Sequence, residues 1–121
     1  MWATLTTLVM LITAGFTGYY ALISLRNPEK AMETATHETQ LLPHIMAGRY
    51  LVLFLLTVGV LLLGDTKVAA YFLAVCTVLG LYDGWVYWSR GLPHMKHTTS
   101  GLLSLGGFAI VMGAWIWGTE A

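Results

Sequence analysis

The sequence has few charged residues for its length. Only 10% of its 121 residues are Asp, Glu, Lys or Arg, and 57% are hydrophobic, whereas a soluble domain usually carries about 25% charged residues. So little polar surface could not cover a water-soluble fold, and we expect lipid to cover much of the chain. The net charge is zero and the six basic residues are scattered, which excludes a basic surface of the kind that binds nucleic acid.

Several signals of familiar chemistry are also missing. Cysteine occurs once, at Cys76, which excludes an internal disulfide and fits a small core residue. There is no Cys-His zinc pattern, phosphate-binding glycine loop or serine nucleophile elbow. The segment from Met1 to Thr4 has no basic residue, and the apolar run after it is longer than the 7–15 or so residues of a signal peptide. We therefore expect a retained first helix.

What the sequence does have is four apolar runs, each near the roughly 20 residues that an α-helix needs to cross a bilayer. None alternates polar and apolar residues as barrel strands do. The runs predict an all-α fold, an antiparallel bundle of four transmembrane helices that forms a single domain over residues 1–121. The predicted helices cover residues 2–25, 44–63, 68–89 and 98–118.

The links between these helices differ in kind. The segment Gly64–Lys67 predicts a tight turn, so that the second and third helices form an antiparallel hairpin. The longer link of residues 26–43 contains Asn27-Pro28, an N-cap residue followed by proline at the first helical position. This pair predicts a short interfacial helix over residues 29–36.

Basic residues are distributed unequally between the two predicted membrane faces. Five of the six lie on the side of the first and third loops, and Lys67 lies alone on the other side. Because basic residues favour the cytoplasmic side, the sequence predicts a multi-pass integral membrane protein. Its loops at residues 26–43 and 90–97 are predicted to be cytoplasmic and both termini to lie outside.

Two charged residues fall inside predicted spans. A charge at the membrane centre costs about 2.5–3.5 kcal/mol on insertion scales. Arg49 and Asp83 each lie about 8–10 Å from the same predicted face, on helices that a tight turn makes neighbours. We predict that they pair. Two interpretations stay open, a pair that only fixes helix register and a pair that lines a polar pocket, and Arg49 could instead reach the interface alone.

Four residues near this face are candidate catalytic groups. Arg49 would orient an anionic or carbonyl oxygen, Asp83 and His97 would transfer protons, and Tyr87 would donate a hydrogen bond. Polar residues at helical spacing are equally explained by hydrogen bonds between helices. His94 and His97, together with His44 and Asp83, have the chemistry of a metal or haem site, but a lone His-x-x-His pair is weak evidence and no metal site is predicted.

Short motifs in the chain resemble a known group. Arg26-Asn27-Pro28-Glu29, Ala47-Gly48-Arg49-Tyr50, Tyr82-Asp83-Gly84 and His97 are similar to motifs of the DoxX-like group of small four-helix membrane proteins. The nearest likeness is to an uncharacterised bacterial and fungal family of similar length. The resemblance implies a four-helix bundle that brings Arg49, Asp83 and His97 together, and it implies no reaction.

A fainter similarity is to styrene oxide isomerase, on His44 and on Asp83-Gly84-Trp85. It implies haem as a cofactor, ligated by His44, and an isomerase-like activity.

These observations support hypotheses from different classes. The first is a bundle that binds, and in one version converts, a small lipophilic molecule in a polar pocket in its cytoplasmic half. The second is a non-enzymatic subunit or assembly factor of a larger membrane complex, and the third is the haem-dependent isomerase. An exporter is disfavoured because the first predicted helix has no carboxylate. The expected partners are the lipid bilayer, a lipophilic molecule, and further copies or subunits; whether the protein is an enzyme is left open.

Overall fold

A computed structural model describes residues 19–34 and 39–117, and within these ranges every regular element is helical. Residues 19–26 form α1, followed by α2 (Pro28–Thr34), a 3-10 turn (Thr39–Leu41), α3 (Leu42–Leu63), α4 (Thr66–Trp88) and α5 (Met95–Ile116). The all-α class is confirmed for the described residues. The chain divides into two compact units, Met1–Leu51 and Val52–Ala121, which are described separately.

Three of the described helices are long and apolar enough to cross a membrane, His44–Leu63, Thr66–Trp88 and Met95–Ile116. They confirm the second, third and fourth predicted spans. Most of the first predicted span, residues 2–25, lies outside the described residues, and its described end is helical in α1. The complete four-helix bundle therefore stays a prediction.

In the first unit, one residue separates α1 from α2. The backbone amide of Asn27 donates to the carbonyl oxygen of Ile23 at 2.8 Å, and the amide of Lys30 donates to Asn27 Oδ1 at 3.1 Å. Asn27 thus closes α1 and caps α2, with Pro28 at the first helical position. This confirms the predicted short helix, which ends at Thr34; its predicted last residues lie outside the described ones.

In the second unit, α3 ends and α4 begins within two residues. Gly64 has a φ of +63°, a left-handed conformation that glycine adopts without steric cost. Asp65 then caps α4, because its Oδ1 accepts hydrogen bonds from the amides of Lys67 and Val68 at 2.8 and 3.2 Å. The predicted tight turn is confirmed.

The link between α4 and α5 is a tighter turn than the sequence suggested. Gly91 has a φ of +67°, and the amide of Leu92 donates to the carbonyl oxygen of Tyr87 at 3.0 Å. The amide of Gly91 donates to the carbonyl oxygen of Trp88, also at 3.0 Å, which completes a Schellman motif. Because α5 begins at Met95, the prediction that residues 90–97 are loop is wrong for the last three of them.

Small residues form the interface of the antiparallel α4–α5 hairpin. Its buried residues are Ala70, Thr77, Gly80, Gly84 and Gly101. A Cβ added at Gly80 would lie 2.5 Å from the backbone nitrogen of Gly101, so the two backbones touch there. Large side chains point outward instead, as at Leu103 and Ile110, which are 72% and 75% exposed. This arrangement is typical of helices that pack inside a membrane.

We expect Gly80→Ala to destabilise the hairpin by about 1–3 kcal/mol, because the new methyl group meets backbone rather than a movable side chain. Gly106→Ala is the matched control, since nothing lies within 4 Å of a Cβ there. That control should be neutral or should stabilise α5 by up to about 1 kcal/mol through helix propensity. Thermal unfolding in detergent, followed by circular dichroism, measures both variants. Equal effects of the two substitutions would contradict the close backbone contact.

Candidate ligand site at the loop end of the hairpin

Several polar side chains of the second unit lie near the end where α4 joins α5. Asp83 and Tyr87 come from the last two turns of α4, and His97 and Thr98 come from the first turn of α5. His94 precedes that turn as the N-cap residue. We call Asp83, Tyr87, His94, His97 and Thr98 the hairpin-end cluster. Three of the four predicted catalytic residues belong to it, because α5 starts early enough to place His97 in a helix.

The rings of Tyr87 and His97 are in direct contact. Their centroids are 4.6 Å apart and their planes are tilted by 35°. His97 is half-buried and Tyr87 is 40% exposed. Among the described residues, neither the Tyr87 hydroxyl nor the His97 ring makes a hydrogen bond. The contact orients both side chains while leaving their polar atoms able to bind a ligand.

His94 and Thr98 form the second contact of the cluster. His94 Nδ1 and Thr98 Oγ1 share a hydrogen bond of 3.0 Å, and the tautomer of His94 decides which of the two atoms donates. Gly84 faces this pair closely, because a Cβ added there would lie 2.5 Å from Thr98 Oγ1. The absence of a side chain at Gly84 therefore lets α4 approach the start of α5.

Asp83 is the charged member of the cluster on α4. It is half-buried and lies one helical turn before Tyr87. Among the described residues of the second unit, its carboxylate accepts no hydrogen bond and forms no ion pair. A carboxylate in a partly apolar setting is costly unless a cation, water or a polar ligand solvates it. No side-chain nitrogen or oxygen among the described residues is both buried and without a hydrogen-bond partner, so the Asp83 carboxylate is accessible to a partner from outside the hairpin.

Arg49 and His44 belong to α3 in the first unit. Both side chains are exposed, and His44 lies in the first turn of the helix. The predicted Arg49–Asp83 pair joins residues of two separately described units, so it stays a prediction. The ligation of haem by His44 likewise stays a prediction.

No group of three or more His, Cys, Asp or Glu side chains among the described residues is placed to hold a metal ion. The two histidines at the start of α5 instead have separate contacts. His94 bonds to Thr98 and His97 lies against Tyr87.

A shallow groove runs along the outer face of α5 near its start. Its volume is 530 Å³, within the range of about 300–1,000 Å³ that small-molecule sites occupy. Its lining combines an apolar part with hydroxyl groups and one cation, from Met95, Lys96, Thr99, Ser100, Leu103 and Ser104. None of the hairpin-end cluster residues belongs to this described lining, so the groove is separate from the cluster.

A second groove lies at the opposite end of the hairpin and is mainly apolar. It has a volume of 460 Å³ and is lined by the end of α3, the start of α4 and the end of α5. Among its described lining residues Asp65 is the ionisable one, and that carboxylate already caps α4. Lys67 lies nearby, with Nζ 5.9 Å from the ring centroid of Trp115, a cation–π contact. This groove is suited to an apolar chain, and it has few polar groups that could bind or react with a ligand.

The sequence predicts Asp83, Tyr87 and His97 as candidate site residues, which stays a prediction, and it does not single out Thr98. The available signal was the spacing of His94 and Thr98, which are four residues apart across the start of a helix. The sequence predicts Thr98 at the first position of the last helix, residues 98–118, and predicts no partner for its side chain.

No protein-family model, curated protein or solved structure matches this chain. The resemblances to the DoxX-like group and to styrene oxide isomerase therefore stay predictions.

Proposed function

We propose that this protein is a multi-pass integral membrane protein that binds a small lipophilic molecule at the hairpin-end cluster. The observation that carries the proposal is the half-buried Asp83 carboxylate, without a polar partner in the described part of its own unit, one turn from the Tyr87–His97 ring contact. A ligand with a hydroxyl or carbonyl oxygen would supply the missing hydrogen bonds.

Membrane insertion is supported by where the large side chains lie. None of the described side chains of α3 is buried, and the buried residues of α4 and α5 are all small. Exposing apolar surface to water costs about 25 cal/mol per Å², and three long apolar helices expose many leucine, valine and aromatic side chains. A bilayer removes that cost, and it covers helices whose backbone groups are bonded internally.

The cluster has the chemistry to hold and polarise an oxygen atom. Tyr87 would donate a hydrogen bond to the ligand, and Asp83 and His97 would exchange a proton with it. Arg49 would contribute a fixed positive charge if the predicted pairing with Asp83 forms. Proton transfer to or from a bound hydroxyl or carbonyl compound is the reaction type that these groups support.

A second candidate function is a subunit or assembly factor of a larger membrane complex. The observation that favours it is α3, which has no buried residue along its described length. Much of the surface of that helix is therefore available to lipid or to another subunit. In this case the hairpin-end cluster would be a structural feature and would bind no stoichiometric ligand.

The predicted orientation places the α4–α5 loop in the cytoplasm and the α3–α4 turn outside. We expect a single cysteine introduced by Leu92→Cys, in a Cys76→Ser background, to react with a membrane-impermeant maleimide only after cells are opened. The matched variant Leu63→Cys, at another exposed leucine beside a turn, should react in intact cells. The reverse labelling pattern would overturn the orientation.

We expect the detergent-purified protein to carry a lipophilic small molecule that mass spectrometry detects after extraction. Asp83→Asn and Tyr87→Phe should each lower its occupancy or affinity by about tenfold or more, because a hydrogen bond to a charged group contributes about 1.5–3 kcal/mol. Tyr82→Phe is the matched control, since Tyr82 is also on α4 but packs near Trp85. Its ligand content should stay at the level of the unmodified protein.

The outcomes of this experiment separate the candidate functions. An empty but folded protein that co-purifies with other membrane proteins would reject the ligand site and favour the subunit function. An absorption band typical of haem that His44→Ala abolishes would instead favour the isomerase-like function. Loss of ligand in Tyr82→Phe as well as in Tyr87→Phe would contradict binding at the hairpin-end cluster.

A further inference from the structure

The first unit contains a separate polar cleft at the junction of α1 and α2. It has a volume of 300 Å³, and its lining is apolar on one side and cationic on the other. Tyr19, Leu22 and Ile23 of α1 form the apolar wall, and the other lining residues are Arg26, Asn27, Lys30 and Thr34. None of these residues belongs to the hairpin-end cluster.

Hydrogen bonds fix the shape of this cleft. Asn27 bonds to α1 through its backbone amide and to α2 through its side-chain oxygen, at 2.8 and 3.1 Å. Thr34 Oγ1 donates to the carbonyl oxygen of Lys30 at 2.7 Å. Arg26 and Lys30, four residues apart on either side of the cap, both line the same cleft as a result.

The charged residues in the described lining of the cleft, Arg26 and Lys30, are both positive. Glu29 and Glu33 lie on α2 but do not line it. Among the described residues, Arg26 and Lys30 form no ion pair. Two adjacent cations without a counter-ion attract an anion, and a guanidinium beside an ammonium group is well suited to phosphate oxygens.

The apolar wall indicates what the anion is attached to. In a site for a free phosphate ester, Leu22 and Ile23 would face water. Exposing their apolar surface to water costs free energy. An acyl chain would cover that wall while its headgroup meets the cations. We infer that this cleft is a binding site for the phosphate group of an anionic phospholipid. The inference uses the proposed membrane insertion and does not depend on the hairpin-end cluster.

The test measures lipid binding to the full chain, purified and delipidated in a neutral detergent, by native mass spectrometry. The probes are dioleoyl phosphatidylglycerol, dioleoyl phosphatidylcholine and water-soluble glycerol 3-phosphate. We expect Arg26→Gln/Lys30→Gln to bind phosphatidylglycerol about 30-fold more weakly, from roughly 1 kcal/mol for each basic residue near a membrane surface. Lys67→Gln/Lys96→Gln removes the same charge elsewhere and should bind as the unmodified protein does.

Three outcomes would overturn the inference. Equal weakening in both double variants would show general electrostatic attraction instead of a site. Equal binding of phosphatidylglycerol and phosphatidylcholine would remove the anionic requirement. Glycerol 3-phosphate that displaces the lipid at comparable concentration would show a site for free phosphate esters.

Two further variants are controls for this test. Arg26→Lys/Lys30→Arg keeps both charges and should retain most of the lipid affinity, which separates lost charge from lost folding. Asp83→Asn should leave phosphatidylglycerol binding unchanged, so failure of the hairpin-end ligand site and failure of this lipid site are distinguishable.

Discussion

The close approach of α4 and α5 at Gly80 and Gly101 is the constraint on which the rest of the second unit depends. Neither position has a side chain, so the two backbones come within van der Waals contact. One turn further along, the same approach brings Gly84 against Thr98 and Tyr87 against His97. A larger residue at the crossing point would move these contacts apart together, because α-helices shift as rigid rods.

This packing determines which side chains face outward and which polar groups remain at the loop end of the hairpin. With small residues inside, the bulky apolar side chains must point outward, where lipid can cover them. The same geometry leaves room at the loop end for polar side chains that do not satisfy one another completely. The side chains of Asp83, Tyr87 and His97 make no hydrogen bond in the described part of the unit, and Asp83 is the acidic one among them. An apolar exterior with an incompletely satisfied polar end is the arrangement expected of a site for an amphipathic ligand.

Much of the fold could be predicted because it depends on local sequence. Hydropathy and length identified the helices that contain Arg49, Asp83 and Ser104, since about 20 apolar residues match a bilayer. Asn27-Pro28 and Gly64-Asp65 predicted a cap and a turn, which depend only on adjacent residues. The start of α5 was placed three residues late, because Met95 to His97 are more polar than the span that they begin.

The candidate site was harder to predict than the helices. The four-residue spacing of Asp83 and Tyr87 predicts that they lie on one side of α4. It does not show which residue of α5 each of them contacts. That depends on how the two helices cross, and Gly80, Gly84 and Gly101 determine the crossing in three dimensions. The predicted Arg49–Asp83 pair rests on matched membrane depth alone, which leaves the rotation of each helix unspecified.

Photocrosslinking tests most directly whether the hairpin-end cluster binds lipophilic ligands. The probe is a long-chain alcohol with a diazirine, added to the full chain in lipid nanodiscs, and mass spectrometry locates the crosslinked residues. The account predicts saturable crosslinks concentrated between residues 83 and 98 and reduced by Asp83→Asn. Crosslinks spread evenly over the exposed faces of α3, α4 and α5, and unchanged in that variant, would contradict it.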